Sequence, residues 1–167
     1  FSLPLGMIVA LLRMSKNKVV SNLTRAVISV LRGTPLMLQL IAVTYGPYYL
    51  WQLSVSKNKL IPVVIAFSIN YAAYFAEIYR SGIESIPAGQ YEAAEILGYS
   101  KVQTFFRIIL PQVIKRIMPS VTNEVVTLVK DTSMAFTVSY MEMFTIGKNL
   151  ANSQTSFMPF IVAGVFY

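Results

Sequence analysis

Apolar residues in this chain come in long runs rather than in alternation. Residues 33–55, GTPLMLQLIAVTYGPYYLWQLSV, contain no charged side chain, and residues 60–79 carry only Glu77. A helix needs roughly 20 apolar residues to cross a ~30 Å hydrocarbon layer, so both runs are read as membrane spans. Residues 1–12 form the tail of an earlier span, 117 to about 130 a fourth with polar interruptions, and 157 onward the beginning of a fifth. The first and last are read as truncated. Between the last two, residues 133–150 are amphipathic and fit an interfacial or re-entrant helix. The expected fold is all-α: a polytopic membrane protein with about five transmembrane helices, read as a single domain over residues 1–167.

Composition agrees with that pattern. The 167 residues are 55% apolar and 13% charged, where soluble domains carry about a quarter charged residues. Cysteine and histidine are absent, which excludes disulfides, thiol chemistry and the usual zinc and haem ligands. No metal site is expected. The net charge of +7 could suit nucleic acid, but its distribution points to membrane topology instead. Arg13, Lys16, Lys18, Arg25 and Arg32 lie in or after the first loop; Arg80, Lys101, Arg107, Lys115 and Arg116 follow the third span; Lys57, Lys59, Lys130 and Lys148 fall elsewhere. By the positive-inside rule the segment after the third span faces the cytoplasm. Tyr45, Tyr48, Tyr49 and Trp51 then form an outer aromatic belt.

That cytoplasmic segment, about residues 81–115, is polar in an otherwise apolar chain. In SIPAGQYEAAEILGYS, Pro87 and Gly89 break the descending helix, residues 90–97 are good helix formers, and Gly98 suits a left-handed C-cap. Ser100 with Gln103 reads as a capping box opening a second helix over residues 101–110, stopped by Pro111. The result is a helical hairpin. Further upstream, Arg32-Gly33-Thr34-Pro35 reads as a helix break, with Thr34 as cap and Pro35 at the first helical position.

Glu92-Ala93-Ala94, three residues, Gly98, nine residues, then Ile108-Ile109-Leu110-Pro111 is similar to the EAA loop of the membrane-spanning subunits of bacterial ABC importers, E-A-A-x3-G-x9-I-x-L-P. Arg32-Gly33-Thr34-Pro35-Leu36, Ala76-Glu77-Ile78, Asn123-Glu124 and Lys130-Asp131-Thr132-Ser133 resemble the polar amino acid permease branch. The resemblance implies that Glu92, Ala93, Ala94, Gly98, Leu110 and Pro111 belong to a coupling helix seated on a separate cytoplasmic ATPase. It implies a homodimer or paralogous heterodimer of permease subunits, a pair of ATPase subunits, an extracytoplasmic amino-acid-binding protein, and a multi-pass position in the bacterial inner membrane. ATP and Mg would be bound by the ATPase partner. This chain contains no G-x-x-x-x-G-K-[ST] loop, since Gly147-Lys148-Asn149 lacks the first glycine and the hydroxyl. No cofactor, catalytic residue or nucleic-acid partner is expected on it; its ligands are membrane lipid and the amino acid.

Ionisable groups inside a membrane are costly, which makes each a functional candidate. Ala66, Asn70, Ala73 and Glu77 share one face of the third span, and Ser120, Glu124, Thr127 and Asp131 repeat that spacing on the fourth. At 1.5 Å per residue, Asn70 lies about 15 Å from Arg80 and Glu124 about 12 Å from Arg116. Both depths suit a substrate site. Glu124, Asn70, Asp131 and Thr127 are therefore the candidate substrate-binding residues, with Glu124 facing the ammonium of the amino acid. For Glu124 the alternatives are pairing with a neighbouring helix and hydration in a water-filled cavity without ligand, for Asn70 an interhelical hydrogen bond, and for Asp131 an internal ion pair with Lys130. Glu77, one turn from Arg80, reads as a structural pair. Two rival functions remain: a permease for another small solute, and a membrane scaffold or sensor that does not transport.

Overall fold

The computed structural model describes residues 1–54 and 58–167; Val55, Ser56 and Lys57 lie outside the described residues, and with them the end of the expected second span and one of the outlying lysines. Every regular element among the described residues is helical. In chain order these are α1 (Ser2–Arg13), α2 (Lys18–Gly33), α3 (Leu36–Trp51), α4 (Leu60–Glu84), α5 (Ala88–Ile96) and α6 (Lys101–Thr104), then a π turn (Phe105–Ile109), α7 (Leu110–Asp131), a 3-10 segment (Thr132–Val138), α8 (Met143–Gln154) and α9 (Met158–Phe166). Among the described residues α4 is the one helix long and apolar enough to cross a membrane by itself. The pair α2 and α3 passes the same test jointly but is bent by 105° at its break.

Five expectations change. Residues 13–32 are not simply a basic loop, because α2 occupies most of them; Asn17 starts it, its Oδ1 accepting from the amides of Val19 (2.9 Å) and Val20 (3.4 Å). The break at residues 33–35 is present, but Pro35 itself takes the N-cap position of α3, and Thr34 does not cap it. Gly89 lies within the first turn of α5, so Pro87 alone, extended at φ −60° and ψ 141°, ends the preceding helix. Pro111 does not stop the second arm. Its ring would collide with the carbonyl one turn back in a regular helix, and the π turn just before it widens that turn, with the Leu110 amide donating to Phe105. The chain then continues as α7 to Asp131. Residues 133–150 likewise form two pieces rather than one helix, separated at Ser139, whose φ is 58°.

The chain divides into two compact units, each discontinuous in sequence, and α4 and α7 contribute residues to both. The first comprises Phe1–Leu31 and Tyr71–Glu124. Here α1 lies close on α4: a Cβ at Gly6 would stand 2.8 Å from Phe75 Cβ and 3.2 Å from the Ala72 carbonyl oxygen. Ala10, Ala72, Phe75 and Ala76 are buried beside that contact. Lower on α4, Gly82 meets Ile117 of α7, and Ile86, Ile109 and Val113 form a core flanked by Ile83, Phe105, Ile108 and Ile117. Apolar burial of this kind stabilises by about 1.5–3 kcal/mol per large side chain.

The second unit comprises Arg32–Asn70 and Val125–Tyr167. The 3-10 segment packs on α3, with Leu40, Ala135 and Val138 buried. Helix α8 packs on α9 through Gly147, where a Cβ would meet the Pro159 carbonyl at 3.5 Å and Ala163 Cβ at 3.6 Å. Glu142 caps α8, accepting from the amides of Phe144 (2.7 Å) and Thr145 (2.8 Å) and from the Tyr167 hydroxyl (2.9 Å). Tyr48, Tyr49 and Trp51 are exposed at the end of α3, and the Lys59 ammonium lies 5.9 Å from the Tyr45 ring centre.

Candidate functional site

The hairpin is built by local rules. Leu97 ends α5, the Gly98 amide donates to the Glu95 carbonyl at 2.9 Å, and the Tyr99 amide donates to the Ala94 carbonyl at 3.0 Å. This pair of bonds is a Schellman motif, and it requires the left-handed conformation that Gly98 adopts at φ 76°. Ser100 then starts the second arm: its hydroxyl accepts from the Gln103 amide at 3.3 Å, and the Gln103 side chain accepts from the Ser100 amide at 2.9 Å. Both expected features are present within three residues of each other.

Packing sorts the expected coupling residues into two roles. Ala94 is 1% exposed, and α5 rests on α6 and on the π turn, so Ala94 serves the hairpin's own interior. Glu92, Ala93 and Glu95 are exposed on α5. Beside them stand Ile96, 86% exposed, and Leu97, 72% exposed. Small, acidic and apolar groups thus share one tip. Leu110 is half-buried and Pro111 exposed at the start of α7.

The two polar faces have different surroundings. On α4, Ala66, Asn70 and Ala73 are buried, and Asn70 is 4% exposed. Its Nδ2 donates to Gln39 Oε1 at 3.1 Å; the Gln39 amide nitrogen in turn donates to Thr34 Oγ1 at 2.8 Å and to the Thr34 carbonyl at 3.2 Å. A backbone carbonyl only accepts, which fixes the orientation of the Gln39 amide and hence of Asn70. Glu77 pairs with Arg80 at 2.7 Å as expected, and also lies 3.7 Å from Arg13. On α7, Ser120 and Thr127 are exposed, whereas Glu124 and Asp131 are half-buried. Asn70, Glu124, Thr127 and Asp131 each engage a neighbour. The structure therefore places the four substrate candidates on two helices, with Glu124 in the first unit and the other three in the second.

Sequence reasoning missed Gln39, 31 residues from its partner Asn70, and the contacts of Gln112 and Arg116 beneath the hairpin. Long-range pairs of uncharged amides leave no periodic signal. Among the described residues no three acidic side chains gather as a metal site would require.

The family described as "Binding-protein-dependent transport system inner membrane component" matches residues 2–167. A probable amino-acid permease protein of Bacillus subtilis is 37% identical over 163 residues, covering 97% of this chain and 73% of that protein. A nopaline transport system permease protein of Agrobacterium fabrum is 36% identical, covering 95% and 69%. An L-cystine transport system permease protein of Bacillus subtilis is also 36% identical, covering 98% and 70%. Among solved structures, an amino acid ABC transporter crystallised with histidines superposes with a TM-score of 0.86 at 29% identity, covering 99% of this chain and 77% of that one. The methionine transporter MetNI, inward-facing, shares the fold at a TM-score of 0.71 and 17% identity.

Proposed function

Because the chain belongs to the family of inner membrane components of binding-protein-dependent transport systems, we propose that it is the permease subunit of an ATP-driven importer that moves polar amino acids into the cytoplasm. The hairpin carries this reading. Its tip sets the acidic Glu92 and Glu95 and the small Ala93 beside the exposed apolar Ile96 and Leu97, a mixed surface suited to a partner, and its spacing is that of a coupling helix. Relatives named for an amino acid, nopaline and L-cystine supply the substrate class. As a permease subunit the chain is not itself an enzyme; ATP and Mg bind to the ATPase partner.

In this reading residues 1–167 form one transmembrane domain in the bacterial inner membrane, crossing it several times. The segment at about 81–115 docks on the ATPase, with Glu92 and Ala93 in the contact and Ala94, Gly98, Leu110 and Pro111 holding its shape. The chain pairs with a second permease subunit, identical or paralogous, and an extracytoplasmic binding protein delivers the amino acid. Glu124, at the half-buried margin of α7, receives the substrate ammonium. Thr127 and Asp131 on the same helix, and Asn70 on α4, are the other proposed substrate contacts.

Reconstitution with the ATPase and binding protein in liposomes tests the proposal. ATP-dependent accumulation of radiolabelled L-arginine, L-glutamine or L-histidine is the expected result. ATP-driven uptake of a different solute class, with none of any amino acid, would refute the substrate assignment.

A further inference from the structure

The hairpin is attached to the rest of the chain by more than its two connections. Gln90, in the first turn of α5, accepts from Gln112 Nε2 at 2.9 Å, and the same nitrogen donates to the Ile108 carbonyl at 2.9 Å. One turn further along α7, Arg116 Nη1 donates to the carbonyl of Ser85 and, at 3.1 Å, to its hydroxyl. The Ser85 hydroxyl donates back to the Gly82 carbonyl at 2.7 Å. Ser85 is in the turn between α4 and α5, while Gln112 and Arg116 are four residues apart on one face of α7. Between these two points lies the apolar core of Ile86, Ile109 and Val113.

Apolar contact is non-directional and lets surfaces slide or rotate, whereas hydrogen bonds hold distance and angle. Two polar contacts one turn apart therefore fix both the register and the rotation of α7 against the start of α5 and the turn that leads into it. The tip is held locally, the Schellman motif closing α5 and the capping box opening α6. A displacement imposed on α5 then has a defined route into α7. Eight residues beyond Arg116, about 12 Å along that helix, stands Glu124.

We infer that Gln112 and Arg116 are positioning residues that brace the docking helix against α7, so that movement of the ATPase is converted into movement of the helix carrying the substrate path. The inference rests on the docking role proposed above. It differs from a merely structural role in one measurable respect: loosening the brace lowers the amount of substrate moved per ATP, while docking and hydrolysis continue.

The test uses the whole complex in liposomes, with radiolabelled L-arginine, L-glutamine and L-histidine as a mixed probe. The Gln112→Leu/Arg116→Gln double variant should retain the ATPase on co-purification and hydrolyse ATP at a rate within about twofold of wild type. Its transport per ATP should fall by about fivefold or more. Arg116→Lys, which keeps a donor for the Ser85 carbonyl, should restore at least half of that ratio. An unchanged ratio in the double variant overturns the inference, as does loss of ATPase co-purification, which would make the contacts part of the docking surface's folding. Glu92→Lys is the separate control for the docking reading: a complex that assembles and hydrolyses normally with that change removes docking from the hairpin, whatever the double variant does.

Discussion

Helices α4 and α7 carry polar residues at the same spacing and use them differently. Ala66, Asn70 and Ala73 on α4 are buried, with Asn70 tied to Gln39 inside the chain. On α7 only Val113 is buried, and Ser120 and Thr127 of the equivalent face are exposed. One spacing rule thus places groups on a common face, but packing decides how far that face is buried. The two helices also differ in their neighbours: α4 is approached by the backbone of α1 at Gly6, on another side from Asn70, whereas no buried face runs the length of α7.

The largest expected effect comes from forcing that approach apart. Gly6→Leu puts a side chain against Phe75 Cβ and the Ala72 carbonyl, neither of which can swing away, and should destabilise by about 3 kcal/mol. Ser120→Leu on the exposed side of α7 should change stability by less than about 0.5 kcal/mol. Thermal unfolding of both variants in detergent would break the comparison if α7 proved as intolerant as α4.

Next in size is the buried amide. Asn70→Leu removes the donor to Gln39 Oε1 and leaves a polar atom without its partner, at about 1–3 kcal/mol. Thr127→Val, on the exposed side of α7, should cost less than Asn70→Leu in the same melting experiment. Equal losses would show that both faces are structural.

The hairpin supplies a third, smaller effect. Gly98→Val puts a β-branched side chain at φ 76°, costing about 1–2 kcal/mol. Because nothing lies within 4 Å of the added Cβ, the penalty is conformational rather than steric crowding. The local change should appear as weaker ATPase co-purification more than as a lower melting temperature.

Legibility followed the range of the interactions. Gly98, Ser100 and Gln103 act within a few residues of themselves, so the sequence exposed the hairpin's caps, and Glu77 with Arg80 was readable for the same reason. Helix α2 is legible only in the recurrence of Lys18, Arg25 and Arg32 every seven residues, which puts them on one helical face. Pro111 was read by the rule that proline ends a helix. A π turn offered the chain another solution, one that depends on the packing of Ile109 and Phe105 in the core. The links from Gln39 to Asn70 and from Arg116 to Ser85 each span 31 residues. Neither could be found without the fold that brings the partners together.

We propose that Glu124, half-buried on α7, serves the substrate directly, whereas Asn70 on α4 is held within the fold by Gln39. Melting curves of the purified complex with and without L-arginine, L-glutamine and L-histidine, for wild type and Glu124→Gln, test it directly. Removing the charge while keeping the shape should leave the empty complex at least as stable, since an intramembrane carboxylate is costly. Ligand binding and transport should nevertheless weaken by about tenfold or more, a loss of ~1.4 kcal/mol or greater. Undiminished stabilisation by ligand in Glu124→Gln, or a fall in the stability of the empty complex, would contradict the claim.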